Sequence, residues 1–280
     1  MSQSTADARA RLTDISSHFA FGENWRSFVD TVDAPALEAA RRCLAKLVTP
    51  EEMRGARLLD IGCGSGLSML AALDLGATAV EGIDIDPGSV GATRTLFIRA
   101  GKPCQARVAS VLDLDSGPNQ PAFDIVHSWG VLHHTGAMWQ AIERASALVR
   151  PGGLFVVALY RKTPMCGFWR AEKRLYAHGS PAVQAAIGAI YKSLFALGMV
   201  VKGRNPMRYI REYPARRGMR WRHDVHDWLG GYPYESVTQA ELADFLSPRG
   251  FKLRRQFVSP PGSGLMGSGC DEYVWERRTG

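Results

Sequence analysis

The densest run of residues that could do chemistry is Asp60-Ile61-Gly62-Cys63-Gly64-Ser65-Gly66, and Asp84 follows 18 residues after Gly66. Glycines at every second position let the backbone turn tightly and let a ligand approach the main chain. A helix opening there would offer unpaired N–H groups to a polar ligand. A carboxylate closing the next strand can accept hydrogen bonds from both hydroxyls of a ribose. The spacing is not the GxGxxG form that cradles a pyrophosphate, and Asp60 in front of the turn would repel one. The same carboxylate suits an ammonium or a bound water. A tight turn followed by a helix-capping Asp accounts for these residues without any ligand.

Two other clusters stand out. Ser128-Trp129-Gly130-Val131-Leu132-His133-His134 carries two imidazoles, which titrate near neutral pH and make His133 and His134 the candidate proton acceptors. Either could instead pack against the next helix and fix the loop. The stretch from Trp221 to Glu235 is dense in polar and aromatic groups, a composition that marks a binding surface or lid. Asp227, Tyr232, Tyr234 and Glu235 are its leading acceptor contacts. His223, Asp224, His226 and Asp227 match established zinc spacings poorly, so no metal is expected. Asn24 and Trp25 can close the site from the N-terminal end, or can be a helix start with a core Trp.

These residues must be held by something. Leu37, Ala40, Leu44 and Leu47 fall at helical spacing within 34–48. Strand and helix patterns then alternate: strands at 58–61, 78–84, 105–109, 123–129 and 154–160, and helices at 67–75, 87–99 and 138–149. Asp86 is placed as a helix N-cap with Pro87 at the first helical position. Arg150-Pro151-Gly152-Gly153 reads as a breaker before the fifth strand. The alternation lapses from 161 to 236 and resumes with a helix at 238–246 and strands at 251–258 and 270–276. The fold class is α/β: a doubly wound, mostly parallel sheet with an antiparallel last strand and a helical insertion after the fifth strand. Four regions follow: an N-terminal helical cap (1–54), a ligand-binding core (55–160), a helical or irregular insertion forming a lid (161–236), and a closing helix with two strands (237–280). Residues 1–15 read as a polar arm.

The net charge of +7 is unevenly spread. Residues 161–222 hold 14 Lys or Arg against Glu172 and Glu212, a net of +12. A concentrated basic segment suits an anionic partner, or is a solvated helical face. Five cysteines without CxxC spacing fit neither a zinc ribbon nor a disulfide framework, and suit a reducing compartment. No secretory signal is visible in MSQSTADARA. Residues 182–201 approach the length of a membrane span, but Lys192 and two glycines interrupt them, so no transmembrane segment is expected. A helix buried in the insertion is one reading. The other is a helix lying on an acidic membrane surface, flanked by Lys173, Arg174, Lys202, Arg204 and Arg208. The expected location is cytoplasmic, with contact at the inner face of the membrane as the alternative.

LLDIGCGSG, EGIDID, FDIVHSWGVLHH and LVRPGG, at this spacing, resemble the first, second, fourth and post-motif signatures of the class I, Rossmann-like S-adenosylmethionine-dependent methyltransferases. The resemblance spans about 55–160, with the closing helix and strands in outline. It implies S-adenosylmethionine as cofactor, with Asp60, Gly62, Gly64 and Gly66 at its methionine portion, Asp84 on the ribose and Ile85 beside the adenine. Ser110 stands where the family often has an acid near the adenine amino group, so backbone contacts at Val111, or Asp113, would take that role. Ser128 and Trp129 would flank the sulfonium, leaving His133 or His134 as the base. Phe19-Ala20-Phe21-Gly22-Glu23-Asn24-Trp25 and the segment from Arg217 to Glu235 resemble a bacterial subgroup whose substrate is insecure.

The implied activity is O- or N-methylation of a small-molecule acceptor, with sugar-type, anionic and lipid-linked ones included. Methylation of nucleic acid is the alternative, weakened by the lack of an RNA-binding module and of the (Asn/Asp)-Pro-Pro-aromatic pattern. A cofactor-binding protein without transfer activity is the third reading.

Overall fold

The computed structural model describes residues 21–114, 122–217, 220–258, 264, 265, 267 and 269–279, without the side chains of 215–217. The polar arm and the Phe19-Ala20 start of the subgroup segment lie outside the described residues.

The core is a seven-stranded sheet in the order β3-β2-β1-β4-β5-β7-β6. Its strands are β1 (Arg57–Ile61), β2 (Ala79–Asp84), β3 (Gln105–Val108), β4 (Phe123–Trp129), β5 (Val149–Tyr160), β6 (Phe251–Phe257) and β7 (Cys270–Arg277). The first five pair in parallel, and β7 runs antiparallel to both β5 and β6. Side chains alternate between two apolar layers, as a sheet covered on both faces requires. Leu59, Val126 and Phe155 meet helices α6 (Met138–Ala147) and α11 (Gln239–Leu246) on one face. Leu58, Ile125 and Val156 meet α2 (Ala34–Leu47), α4 (Leu67–Asp74) and α5 (Pro87–Arg99) on the other.

Capping places several helix starts. Asp33, Asp86 and Thr238 accept backbone N–H groups at the starts of α2, α5 and α11. Thr49 and Glu52 form a capping box on the short α3 (Pro50–Met53). The breaker at 150–153 behaves differently from its sequence reading. It lies inside β5, where pairing with β4 shifts between Phe123 and Ile125. Gly152 adopts a φ of 75°, and a Cβ on Gly153 would come 2.8 Å from the Asp124 carbonyl oxygen, so the glycines fold a bulge into the strand.

The segment after β5 forms four helices: α7 (Cys166–His178), α8 (Pro181–Val201), α9 (Pro206–Arg217) and α10 (Trp221–Gly230). The polar and aromatic stretch expected as a loop is thus mainly α10. Helix α9 leans on α2, α10 packs on α7, and α1 (Phe21–Val29) packs on α5. The added helices therefore stand over the C-terminal ends of the parallel strands.

Candidate active site

Strand order reverses between β1 and β4, and in a doubly wound sheet a crevice opens at that point, at the C-terminal ends of the strands. The glycine-rich turn fills one side of it. Gly62, Gly64 and Gly66 have φ values of 75°, 54° and 79°, a backbone region that favours glycine. The turn is also tightly enclosed. A Cβ on Gly62 would lie 2.3 Å from Val131, and one on Gly66 would lie 2.7 Å from Thr93. Gly66 then caps α4 in the left-handed conformation, leaving the helix N–H groups facing the crevice.

Asp84 closes β2 beside this turn. Its Oδ2 accepts the Gly64 N–H at 3.1 Å and its Oδ1 accepts the Asp86 N–H at 2.9 Å, so the carboxylate is fixed in orientation. Burial raises its pKa to about 6 against the pull of these two N–H donors, and Asp86 and Asp60 add to the rise. Asp86 in turn accepts the N–H groups of Gly88 (2.7 Å) and Gly22 (2.6 Å), which moors α1 to the start of α5. That mooring brings Trp25 over the turn, where its indole would be 3.0 Å from a Cβ on Gly64.

Asp60 is buried, and its Oδ1 receives a hydrogen bond from His127 Nδ1 at 2.7 Å. His127 escaped the sequence reading. A histidine inside the buried strand FDIVHSW was its visible signal, since a buried imidazole calls for a polar partner.

One continuous cavity of about 1140 Å³ runs from this turn into the space beneath the added helices. Its walls include Asp60, Gly62, Gly64, Asp84, Ile85, Ser110 and Val111, so these seven expected residues are brought together. Trp25, Trp129, His134 and Asp227 also line it. Gly66 lies at the adjoining helix cap.

Other expected residues stand elsewhere. Ser128 is fully buried and donates its hydroxyl to the Ile61 carbonyl at 3.1 Å, joining β4 to β1 behind the cavity. Asp113 is exposed and off the cavity wall. His133 is fully buried 3.9 Å from the Tyr160 ring, and neither of its nitrogens has a hydrogen-bond partner among the described residues. Burial, with His134 and Lys173 nearby, holds its pKa well below the ordinary value. That corrects its candidacy as a base.

Of the substrate candidates, Asn24 holds rather than lines: its Nδ2 donates to Asp227 Oδ1 at 2.6 Å and to the His223 carbonyl at 3.2 Å. Tyr232 packs on His178, and the buried Tyr234 donates its hydroxyl to Cys166 Sγ at 3.3 Å. Glu235 accepts the Met138 N–H at 2.9 Å, capping α6. These three are off the cavity wall and correct the sequence reading, which saw a polar-aromatic loop without its long-range partners.

The metal candidates also separate. His223 lies 3.3 Å from Ser27 Oγ, His226 bonds Tyr176, Asp224 bonds Tyr213, and Asp227 bonds Asn24.

The far half of the cavity is aromatic. Tyr191 and Phe195 come from α8, Tyr209 and Tyr213 from α9, and Trp221 and Trp228 from α10, with Tyr160 at the end of β5. Each pair sits at a helical i, i+4 or i, i+7 interval, which was the signal available in the sequence. Asp224 and Asp227 add two carboxylates. Burial pushes Asp227 well above the usual carboxylate range, against the Asn24 amide that favours its charge. His134 donates Nδ1–H to the Pro233 carbonyl at 2.7 Å, which leaves Nε2 as the nitrogen with a lone pair. No Lys or Arg from 161–222 is among the described residues lining the cavity.

The sheet and its crevice define a Rossmann-like α/β fold. Residues 59–155 match a family model described as a methyltransferase domain. A ubiquinone biosynthesis O-methyltransferase from Xanthomonas euvesicatoria pv. vesicatoria is 36% identical over 114 residues, covering 40% of this chain and 46% of that protein. The chain spans less than half the length of the curated relatives it matches first. Among solved structures, a magnesium protoporphyrin IX methyltransferase from Synechocystis PCC 6803 with bound SAH is similar at a TM-score of 0.51. It is 16% identical, over 87% of this chain and 84% of that one. A 1,6-didemethyltoxoflavin-N1-methyltransferase from Burkholderia thailandensis, solved with bound 1,6-didemethyltoxoflavin and S-adenosylhomocysteine, gives a TM-score of 0.51. It is 18% identical over all of this chain and 92% of that one. At these identities the structural likeness is one of fold.

Proposed function

We propose that the chain is an S-adenosylmethionine-dependent methyltransferase acting on a small acceptor with a flat or extended apolar body. The observation that carries this reading is the single cavity joining the glycine turn to the aromatic chamber. Its volume, about 1140 Å³, exceeds the roughly 300–1,000 Å³ of an ordinary one-ligand pocket, which suits two ligands meeting end to end.

The near half fits the cofactor chemically. The glycines of the turn pack on Val131 and Thr93, which fixes its path along the cavity wall where Gly62 and Gly64 line the space for a ligand. Asp84, held in place by two backbone donors, accepts the ribose hydroxyls. Asp60, oriented by His127, suits an ammonium. Ile85, Ser110 and Val111 suit the adenine. Bound there, S-adenosylmethionine supplies an electrophilic methyl group on a sulfonium.

The far half then has three tasks. The aromatic walls orient the acceptor and exclude water, the main protein contribution to an in-line displacement. His134 takes the proton if the acceptor is a hydroxyl or a protonated nitrogen. Asp227, oriented by Asn24 and held toward its protonated form by burial, hydrogen-bonds the acceptor. Among the described wall residues Lys46 pairs with Glu272 and no cation of the insertion lines the chamber, which favours a neutral acceptor over an anionic one. The names of the structural neighbours, a magnesium protoporphyrin IX methyltransferase and a 1,6-didemethyltoxoflavin-N1-methyltransferase, point to non-polymeric acceptors, which supports the small-molecule class. Trp25 and Asp227 belong to the two segments that mark the bacterial subgroup, which supports placing the chain there. The cytoplasm is proposed as its location.

The test is transfer of a labelled methyl group from S-adenosylmethionine to extracts of the native cell, with identification of the product. A labelled small molecule is expected. Label recovered only in nucleic acid or protein would reject the acceptor class.

A further inference from the structure

Helix α8 has two faces with different tasks. Tyr191 and Phe195 look into the chamber, where Phe195 packs on Trp221 (5.7 Å) and Tyr209 (5.5 Å). On the other side Ile190, Leu194, Leu197 and Val201 recur at i, i+4, i+7 and i+11, one stripe along the helix. They are 61%, 54%, 59% and 78% exposed, so none of the described residues covers this stripe. A row of large aliphatic side chains in water is unusual on a soluble monomer and marks an interaction surface.

Charge identifies the occupant. Exposed Lys202, Arg204 and Arg208 follow the stripe within about two turns, together with Met207 at 74% exposure. Arg208 shares its charge with Glu212, and the rest of 161–222 offers no acid beyond the half-buried Glu172. An apolar stripe ending in a cationic turn is the pattern of a helix lying in the interface of an anionic bilayer. By length and composition α8 could also cross a membrane. Its inner face, however, is a wall of the chamber, and leaving it would open the cavity.

We propose that α8 and the turn into α9 dock the protein on an anionic phospholipid surface, so that a lipophilic acceptor enters the chamber from the bilayer. Docking stands on the stripe and the cations alone. The delivery of an acceptor rests on the methyl-transfer reading.

Flotation with vesicles of phosphatidylcholine containing about one third phosphatidylglycerol tests it. The wild type is expected to float with these vesicles, to stay soluble with phosphatidylcholine alone, and to be released as salt is raised. Leu194→Gln with Leu197→Gln is expected to weaken binding more than about tenfold. Lys202→Gln and Arg204→Gln, at exposed positions that spare the fold, should each weaken it about fivefold. Calorimetry with S-adenosylmethionine checks every variant for an intact core. Wild type left in the soluble fraction with anionic vesicles overturns the proposal, as does equal flotation with neutral ones. A dimer in solution that the leucine pair converts to monomer, without vesicle binding, would assign the stripe to a second copy instead. Flotation by a protein that binds no S-adenosylmethionine would leave docking standing and remove the methyl-transfer reading.

Discussion

The two halves of the cavity are built by different means. The near half is made of backbone: three glycines in left-handed conformations and a carboxylate tied to two backbone N–H groups, one of them in the glycine turn itself. The far half is made of side chains, gathered from β5, α8, α9 and α10 and held by long-range pairs such as Asn24 with Asp227. A backbone cradle tolerates little change in sequence. A side-chain chamber can exchange its walls and keep its shape. On the methyl-transfer reading the near half is a fixed cofactor cradle and the far half an adaptable acceptor chamber, as when specificity is carried by loops and insertions on a rigid scaffold.

The largest effect is expected at Gly62. Gly62→Ala places a Cβ 2.3 Å from Val131 in a left-handed conformation. The expected loss of stability is about 3 kcal/mol, from backbone strain and overpacking together. Denaturant unfolding measures it, and a loss below about 1 kcal/mol would mean that the cradle is looser than described.

Asp84→Asn comes next. It should weaken S-adenosylmethionine at least about tenfold, or 1.4 kcal/mol, by calorimetry. The wild type should show the same dependence through pH. Because burial raises the Asp84 pKa to about 6, the carboxylate is charged at neutral pH and protonated below about 6. Cofactor affinity should therefore fall by up to about tenfold per unit once the pH is well below that value. Stability of the free protein moves the other way. A raised carboxylate pKa makes a contribution that is present below the unfolded value, near 4, and is lost as pH rises through about 6. Affinity that stays flat down to pH 5 would contradict the role given to Asp84.

Asp227→Asn acts on the far half of the cavity. It should lower turnover of the acceptor about tenfold. The dissociation constant for S-adenosylmethionine should stay within about twofold, because Asn24 and Asp227 do not touch the glycine turn. An equal loss in both would show that the halves are one unit. The smallest effect is expected at Ser128→Ala. Losing the bond to the Ile61 carbonyl should cost about 1 kcal/mol of stability. Cofactor affinity should not change, whereas a clear change would return Ser128 to the site.

The same contrast explains what the sequence reveals. Strand-helix alternation, the Asp86 cap and the glycine turn are local patterns, and they carry the sheet class with Asp60, Gly62, Gly64 and Asp84 on the cavity wall. Ile85, Ser110 and Val111 come from the family resemblance alone. The Tyr232–Glu235 segment carried a composition suited to binding, yet its residues cap α6 and brace α7, because a side chain's partner in another helix leaves no mark at its own position. His133 and His134 are adjacent and chemically identical, and only packing separates the buried one from the one on the wall. Tyr191, Tyr209, Tyr213 and Trp228 had helical spacing but no reason to converge until the four helices were placed over the sheet. The outward stripe of α8 was legible as an apolar stretch, and its exposure came only with the fold.

On the methyl-transfer reading, one cavity holds S-adenosylmethionine at the glycine turn. Titration calorimetry with the wild type and Asp84→Ala tests it most directly. Saturable binding of one cofactor per chain, weakened at least about tenfold by the substitution, is the predicted result. No heat with the wild type, or the same affinity in both proteins, would contradict the account.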